Sequence, residues 1–388
     1  MNGHYLDHAA TTSVRPEAAA VHGDELARGG NPSSTHAAGR DARRRLEEAR
    51  EELAAALGAQ PAEVLFTAGG TEADNLAVKG AVYAHPAARP RLLVSAVEHH
   101  AVLDAATWLA ERGHADVGLL PVTASGAVDL AAAAELVGDG RDLALVSVMW
   151  ANNETGVVQP VEGVVALAAG APVHSDAVQA VAYLPVDFAA SGLAAMSVTG
   201  HKLGGPVGAG ALLARRDLAL APVHHGGGQE RGVRSGTLDV AGARALARAV
   251  SLAVAERAAE ARRVAALRDR LVAGALAAVP GLHLTGAATD RLPQVAHLTI
   301  DDAESESLLF ALDVAGINAS AGSACQAGVE QGSFVLVAMG YPERAAGSAL
   351  RLSLGRTSTD ADVDAVLAAL PEAVSRSRAA AATRRVPR

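Results

Sequence analysis

From about residue 40 to residue 215, short apolar runs alternate with longer segments rich in Ala, Arg and Glu. This is the pattern of strands interleaved with helices over a mostly parallel sheet, an α/β core. Residues 40–57 read as a helix, 63–67 as a strand and 71–79 as the next helix. Further strands are predicted over 91–95, 143–150, 173–176 and 194–199, and a Gly-rich turn over 204–210 leads into one more at 211–214. Residues 240–279 carry helical spacing without proline until Pro280-Gly281, a length beyond an ordinary globular helix. The stretch is read as a helix, continuous or broken, that leaves a first domain and enters a second. After it come a strand at 297–300, a helix at 304–315, a small-residue loop at 318–328, a strand at 350–353 and a last helix at 360–375. The Ala/Arg-rich tail 376–388 is expected to fray, and no repeat at a solenoid period is present.

At ~150 residues per domain, 388 residues make two or three domains with room for a sizeable core. Half of the residues are hydrophobic and 19% are charged, which excludes a disordered or collagen-like chain. A formal charge of -9 speaks against direct binding to nucleic acid or an anionic membrane, and an aromatic share of 3% against a base-stacking surface. No apolar run reaches the ~18 residues of a membrane span, and the segment from Met1 to Asp7 lacks the regions of a signal peptide, so a cytoplasmic protein is expected.

Two scarcities sharpen the picture. Cys325 is the single cysteine, which excludes an internal disulfide framework and a cysteine-ligated cluster within one chain. Of the 33 Lys and Arg residues only Lys79 and Lys202 are lysine. A lysine here invites the question of what arginine could not do, and the answer is to lose its proton and form a Schiff base with an aldehyde. Lys79, predicted at the end of a helix, reads as a helix C-terminal cation.

Several segments could carry chemistry. Thr67-Ala68-Gly69-Gly70-Thr71-Glu72 joins a predicted strand to a predicted helix and offers either a phosphate cradle or an ordinary tight turn; it matches neither dinucleotide nor P-loop motifs. Asp176 ends a strand, where open α/β sheets bind ligands, or else caps a helix. Lys202, in Thr199-Gly200-His201-Lys202, also lies at a strand end; the alternative is a solvated surface lysine. Cradle, strand-end acid and strand-end lysine together describe a site for pyridoxal phosphate. His99 follows a strand and could pack on a ring or be a plain core histidine, and neighbouring His99 and His100 make no metal pair. Cys325 sits among small polar residues, the setting of a reactive thiol. Arg351 interrupts an apolar strand and needs an anion, either a substrate carboxylate or an internal Asp or Glu.

At these residues the sequence resembles the cysteine desulfurases of the NifS/IscS type, within the fold-type I, class V aminotransferase superfamily. The resemblance runs from Tyr5-Leu6-Asp7-His8-Ala9-Ala10-Thr11-Thr12 to about Gly355-Arg356. In between, in family order, stand Thr71-Glu72-Ala73-Asp74-Asn75, Glu98-His99, Asn152-Asn153-Glu154-Thr155-Gly156, Asp176-Ala177-Val178-Gln179, Gly200-His201-Lys202, Arg234-Ser235-Gly236-Thr237 and Gly322-Ser323-Ala324-Cys325. It implies a large cofactor-binding domain over 16–255, with a mostly parallel sheet flanked by helices, and a smaller α+β domain from 1–15 and 256–388 that carries the cysteine loop.

The resemblance also implies roles. Lys202 would bind pyridoxal phosphate covalently, Asp176 would hold its pyridine nitrogen, and Gln179 and Asn153 would lie near its phenolic oxygen. Gly70, Thr71, Thr199 and His201 would hold the phosphate, with Thr237 from a partner subunit of a homodimer. His99 would stack on the ring and shuttle protons, and Arg351, with Asn153, would hold the carboxylate of L-cysteine. Cys325 would take the sulfur as a persulfide, releasing alanine, and pass it to an acceptor protein, an iron–sulfur scaffold or a tRNA-thiolation enzyme. The Gly-Ser-Ala-Cys form, with Arg351 26 positions beyond Cys325, is similar to the long-loop group. Thr199 departs from the serine usual at its position. A different pyridoxal phosphate enzyme, with Cys325 incidental, and a non-enzymatic sulfur relay are the competing readings.

Overall fold

The computed structural model describes residues 3–88, 90–322 and 332–384. Its strands in chain order are β1 (His4–Tyr5), β2 (Val64–Thr67), β3 (Arg91–Ser95), β4 (Asp116–Leu120), β5 (Leu143–Ser147), β6 (Val173–Asp176), β7 (Ala195–Thr199), β8 (Gly210–Ala214), β9 (Leu282–Leu284), β10 (Val295–Ile300), β11 (Ile317–Asn318) and β12 (Ala349–Ser353).

β2 through β8 form one seven-stranded sheet in the order β2-β8-β7-β6-β5-β3-β4. β7, β6, β5, β3 and β4 pair in parallel, whereas β8 runs antiparallel to both of its neighbours, so six strands point one way. β5, β6, β7 and β8 are buried along their whole length, the signature of a sheet covered on both faces. Helices Gly70–Ala84 and His100–Glu111 follow β2 and β3, and Ala37–Leu57 packs beside Val240–Ala278. A second, three-stranded antiparallel sheet has the order β12-β10-β9, and β1 pairs with β11 in a two-stranded parallel ribbon.

The hydrophobic interior is divided accordingly. Leu53, Phe66, Val146, Met196 and Leu213 belong to one core, while Leu6, Leu298, Leu312, Leu352 and Val366 belong to another. Val240–Ala278 is a single unbroken helix of 39 residues that gives Leu246 and Val250 to the first core and Val264, Leu267 and Leu271 to the second. Its amino end is capped by Asp239, whose carboxylate accepts from Gly242 N–H at 2.9 Å.

Some expectations need correction. The last helix does not stop at residue 375 but continues to Arg384, because Ala381 and Ser377 are fully buried and Ser377 Oγ exchanges hydrogen bonds with the Glu304 backbone; the tail 376–384 is therefore not frayed. Its last residues, 385–388, lie outside the described part. β5 ends at Ser147, short of residue 150, and the edge strand β4, with an exposed and half-exposed pattern, had no sequence signal strong enough to mark it. The helix begun at Gly70 runs to Ala84, so Lys79 is not a helix C-terminal cation; its Nζ lies 4.9 Å over the ring of Trp108. Among the described residues no helix is long and apolar enough to cross a membrane.

The helices on one side of the large sheet are tied by charge. Arg45 and Glu25 are buried, with 2% and 4% of their side chains exposed, and meet at 2.8 Å; Arg244 reaches Glu25 at 3.0 Å. Removing the carboxylate leaves the buried Arg45 guanidinium only the exposed Asp41 as an anionic partner. Glu25→Ala should lower the stability measured by urea unfolding by about 3 kcal/mol, the low end for a buried pair because Asp41 remains on Arg45, whereas Arg376→Ala, which removes the exposed ion pair with Glu372, should cost less than about 1 kcal/mol.

Candidate active site

The site lies at the carboxyl ends of the parallel strands, where each strand hands its last residue to a loop. β2 leads through Ala68-Gly69 into the helix Gly70–Ala84. Gly69 adopts φ 149°, a backbone conformation that residues with a side chain rarely take up, and the helix has no side-chain cap. The first-turn N–H groups of such a helix have no intrahelical acceptor and present an anion cradle. Gly70 is required for a steric reason: a Cβ there would stand 2.9 Å from Val178 Cγ2. Gly70, Thr71, Thr199 and His201 line one cleft of about 610 Å³.

Asp176, the last residue of β6, is buried, and its Oδ1 accepts from Val178 N–H at 2.8 Å. Burial pushes its carboxyl up from the usual range, while facing His99 and Lys202 pull it back toward the ionised form. His99 caps the helix His100–Glu111 through Nδ1, which accepts from Ala101 N–H at 3.1 Å. With Nδ1 so engaged, the neutral ring carries its proton on Nε2. Burial lowers the His99 pKa, and Asp176 opposes that shift.

Lys202 is no solvated surface lysine. Its Nζ donates to the carbonyls of Ala9 at 2.6 Å and Ala10 at 2.8 Å, and burial, reinforced by Arg351, lowers its pKa to about 8. His201 is lowered to about 4 by burial and by Lys202, so it is neutral at pH 7. Gln179 Nε2 also donates to the Ala9 carbonyl, at 3.0 Å. The segment Asp7–Thr12 thus closes over the strand ends, a contribution that the sequence reading quoted as a motif but gave no task.

Arg351, on β12, approaches from the second sheet. Its Nη1 donates to the Asn153 carbonyl at 2.8 Å and its Nη2 to Asp7 Oδ1 at 2.8 Å, while Nε is buried without a partner. In this structure, then, an internal Asp is the anion that Arg351 needs. Thr237 is exposed and makes no described contact with the cradle, and Cys325 lies outside the described residues.

Beneath the site the structure gathers two acids that the sequence reading did not single out. Asp74 and Glu98 are fully buried, burial drives both pKa values well up, and Asp176 adds to the effect. Asp74 Oδ1 and Glu98 Oε2 have no hydrogen-bond partner. The direction is therefore toward neutral Asp74 and Glu98 beside an Asp176 that burial also pushes up but that His99 and Lys202 pull back toward the ionised form. Their signal was present in Thr71-Glu72-Ala73-Asp74 and Glu98-His99, but burial could not be read from it.

The residues fit pyridoxal phosphate. An uncapped helix start would suit a phosphate, a half-buried amine of lowered pKa an aldehyde, and a buried strand-end acid a basic ring nitrogen.

The comparisons with known proteins agree with this geometry. The family model described as aminotransferase class-V matches residues 4–366. The chain is 54% identical to an IscS-like cysteine desulfurase of Mycobacterium tuberculosis, over 97% of this chain and 98% of the relative. It is 40% identical to cysteine desulfurase IscS of Methanosarcina thermophila, over 96% of this chain and 92% of the relative. A solved structure of a NifS-like protein superposes with a TM-score of 0.89 at 33% identity, covering 96% of this chain and 99% of that one. With likeness of this extent in sequence and in fold, the chain belongs to the class V aminotransferase family and, within it, to the NifS/IscS cysteine desulfurases.

Proposed function

We propose that this chain is an L-cysteine desulfurase, a sulfurtransferase that converts L-cysteine to L-alanine and leaves the sulfur as a persulfide on Cys325. The family depends on pyridoxal phosphate. The observation that carries the reading is Lys202: a half-buried amine with its pKa lowered to about 8, in the field of Asp176 and His99 at the carboxyl ends of strands of the same sheet.

In this reading Gly70, Thr71, Thr199 and His201 would bind the phosphate, Thr237 of a second copy would complete that cradle in a homodimer, and Asp176 would hold the ring nitrogen, with Gln179 and Asn153 near the phenolic oxygen. Once bound, the cofactor would supply an electron sink that loosens the Cα proton and the bond from Cβ to sulfur. Arg351, with Asn153 beside it, orients the α-carboxylate. Lys202 Nζ, neutral over a larger fraction than an ordinary lysine, takes the Cα proton and returns it. His99 would stack on the ring and shuttle protons. The Cys325 thiolate forms a bond to the substrate sulfur as the bond from that sulfur to Cβ breaks; the electron pair and a proton end on Cβ, giving alanine. The division of labour is a large cofactor domain over 16–255 and a smaller domain from 1–15 and 256–388 that carries Cys325. The persulfide passes in the cytoplasm to an acceptor protein, an iron–sulfur scaffold or a tRNA-thiolation enzyme.

The test is the visible spectrum of the purified protein before and after L-cysteine, with alanine and sulfide assayed together in the presence of a dithiol that reduces the persulfide and releases its outer sulfur as sulfide. Equal amounts of alanine and sulfide with a shifted band are expected; a band that shifts without alanine sinks the desulfurase. Cys325→Ser should retain the band and lose turnover by at least ~100-fold, and undiminished turnover would favour another reaction on this fold. Uptake of pyridoxal phosphate by the cofactor-free chain should speed up with pH. The amine attacks only when neutral, so the rate should rise through a midpoint near 8 and level off above it. A rate still climbing at pH 10 would refute the lowered pKa.

A further inference from the structure

Asp7 has no part in the mechanism above, yet its carboxylate is the only side-chain acceptor bonded to Arg351 among the described contacts. The two side chains differ in burial: 4% of Arg351 is exposed against 22% of Asp7. A guanidinium cannot shed its proton, so a buried one demands an anion at all times. Asp7 meets that demand in the free protein, and because it is the more exposed partner it can turn to water while Arg351 cannot.

The backbone of Asp7 is held independently of its side chain. Its carbonyl accepts from Ala10 N–H at 3.0 Å and from the Tyr5 hydroxyl at 3.2 Å, and the adjoining His8 N–H and Ala9 N–H bond to Ser353. The Ala9 and Ala10 carbonyls therefore stay on Lys202 whatever stands at residue 7. What the Asp7 side chain adds is one negative charge on Arg351, the same charge and the same functional group that an α-amino acid brings. Two carboxylates on that guanidinium, with Asp176 nearby, would leave the pocket with surplus negative charge.

We propose that Asp7 is an internal stand-in for the substrate carboxylate, neutralising Arg351 until an α-amino acid displaces it. This rests on the reading that Arg351 binds the substrate. Binding is then an exchange of one carboxylate for another, in which no covalent bond changes. Amines without a carboxylate cannot carry out the exchange, so Asp7 is a positioning residue that acts through Arg351 and selects for amino acids.

The experiment titrates L-alanine, which has the carboxylate but no sulfur to lose, into holoenzyme with Asp7, Asp7→Asn, Asp7→Glu or Arg351→Ala. Binding is read by calorimetry and by the cofactor absorbance, and an unchanged thermal midpoint certifies the fold of Asp7→Asn. Asp7→Asn should bind L-alanine about threefold to tenfold more tightly, become open to inhibition by propionate, and change kcat/KM for L-cysteine through KM. Asp7→Glu, which keeps the charge, should restore wild-type affinity. Weaker or equal L-alanine binding in Asp7→Asn, with Arg351→Ala abolishing it, overturns the exchange alone. Unchanged binding in Arg351→Ala overturns the placement of substrate on Arg351, and the exchange falls with it.

Discussion

Everything at this site depends on keeping one ammonium group, Lys202 Nζ, half-buried and easily deprotonated. Burial and the neighbouring Arg351 lower its pKa to about 8, while Asp176 and Asp7 resist. Two carbonyl oxygens, from Ala9 and Ala10, hold the amine in place without adding a full charge that would fix its proton. Dipoles orient the group and leave the balance of protonation to the distant charges, which suits an amine that must act as acid, base and nucleophile in turn.

The same balance explains why the site needs parts from both cores. The cradle, Asp176 and His99 come from strand ends of the seven-stranded sheet, but Arg351 stands on β12 of the other sheet, and the segment 5–12 bridges them. The helix Val240–Ala278 supplies the rigid connection, giving apolar side chains to both cores along its length. Charge placed by one core thus tunes a proton held by the other.

Buried acids are costly, and this site gathers three, Asp74, Glu98 and Asp176. Asp74 and Glu98 lower the cost by holding a proton. Asp176 is pushed up by burial too, but His99 and Lys202 pull it back toward the ionised form. The order of these acids is an outcome of local burial and of which cation each one faces.

Much was legible in the chain alone. A covered parallel sheet leaves strings such as Leu143–Ser147 and Ala195–Thr199 that read as strands, and glycine at 69 and 70 marks a turn that disfavours a side chain. The rarity of lysine singled out Lys202, and the ordered motifs pointed to the family that the comparisons then gave. Other features were decided only by tertiary structure. The tail looked polar enough to fray, but burial of Ser377 and Ala381 against the second core keeps it helical. The half-exposed edge strand β4 carries no periodicity to announce it. That Arg351 meets Asp7, 344 positions away, and that Lys202 rests on Ala9 and Ala10, cannot be read from spacing, because such contacts depend on how two separate cores close on each other. Local pattern sets which elements form; the distance and burial between charges, and so the chemistry, arise only when they pack.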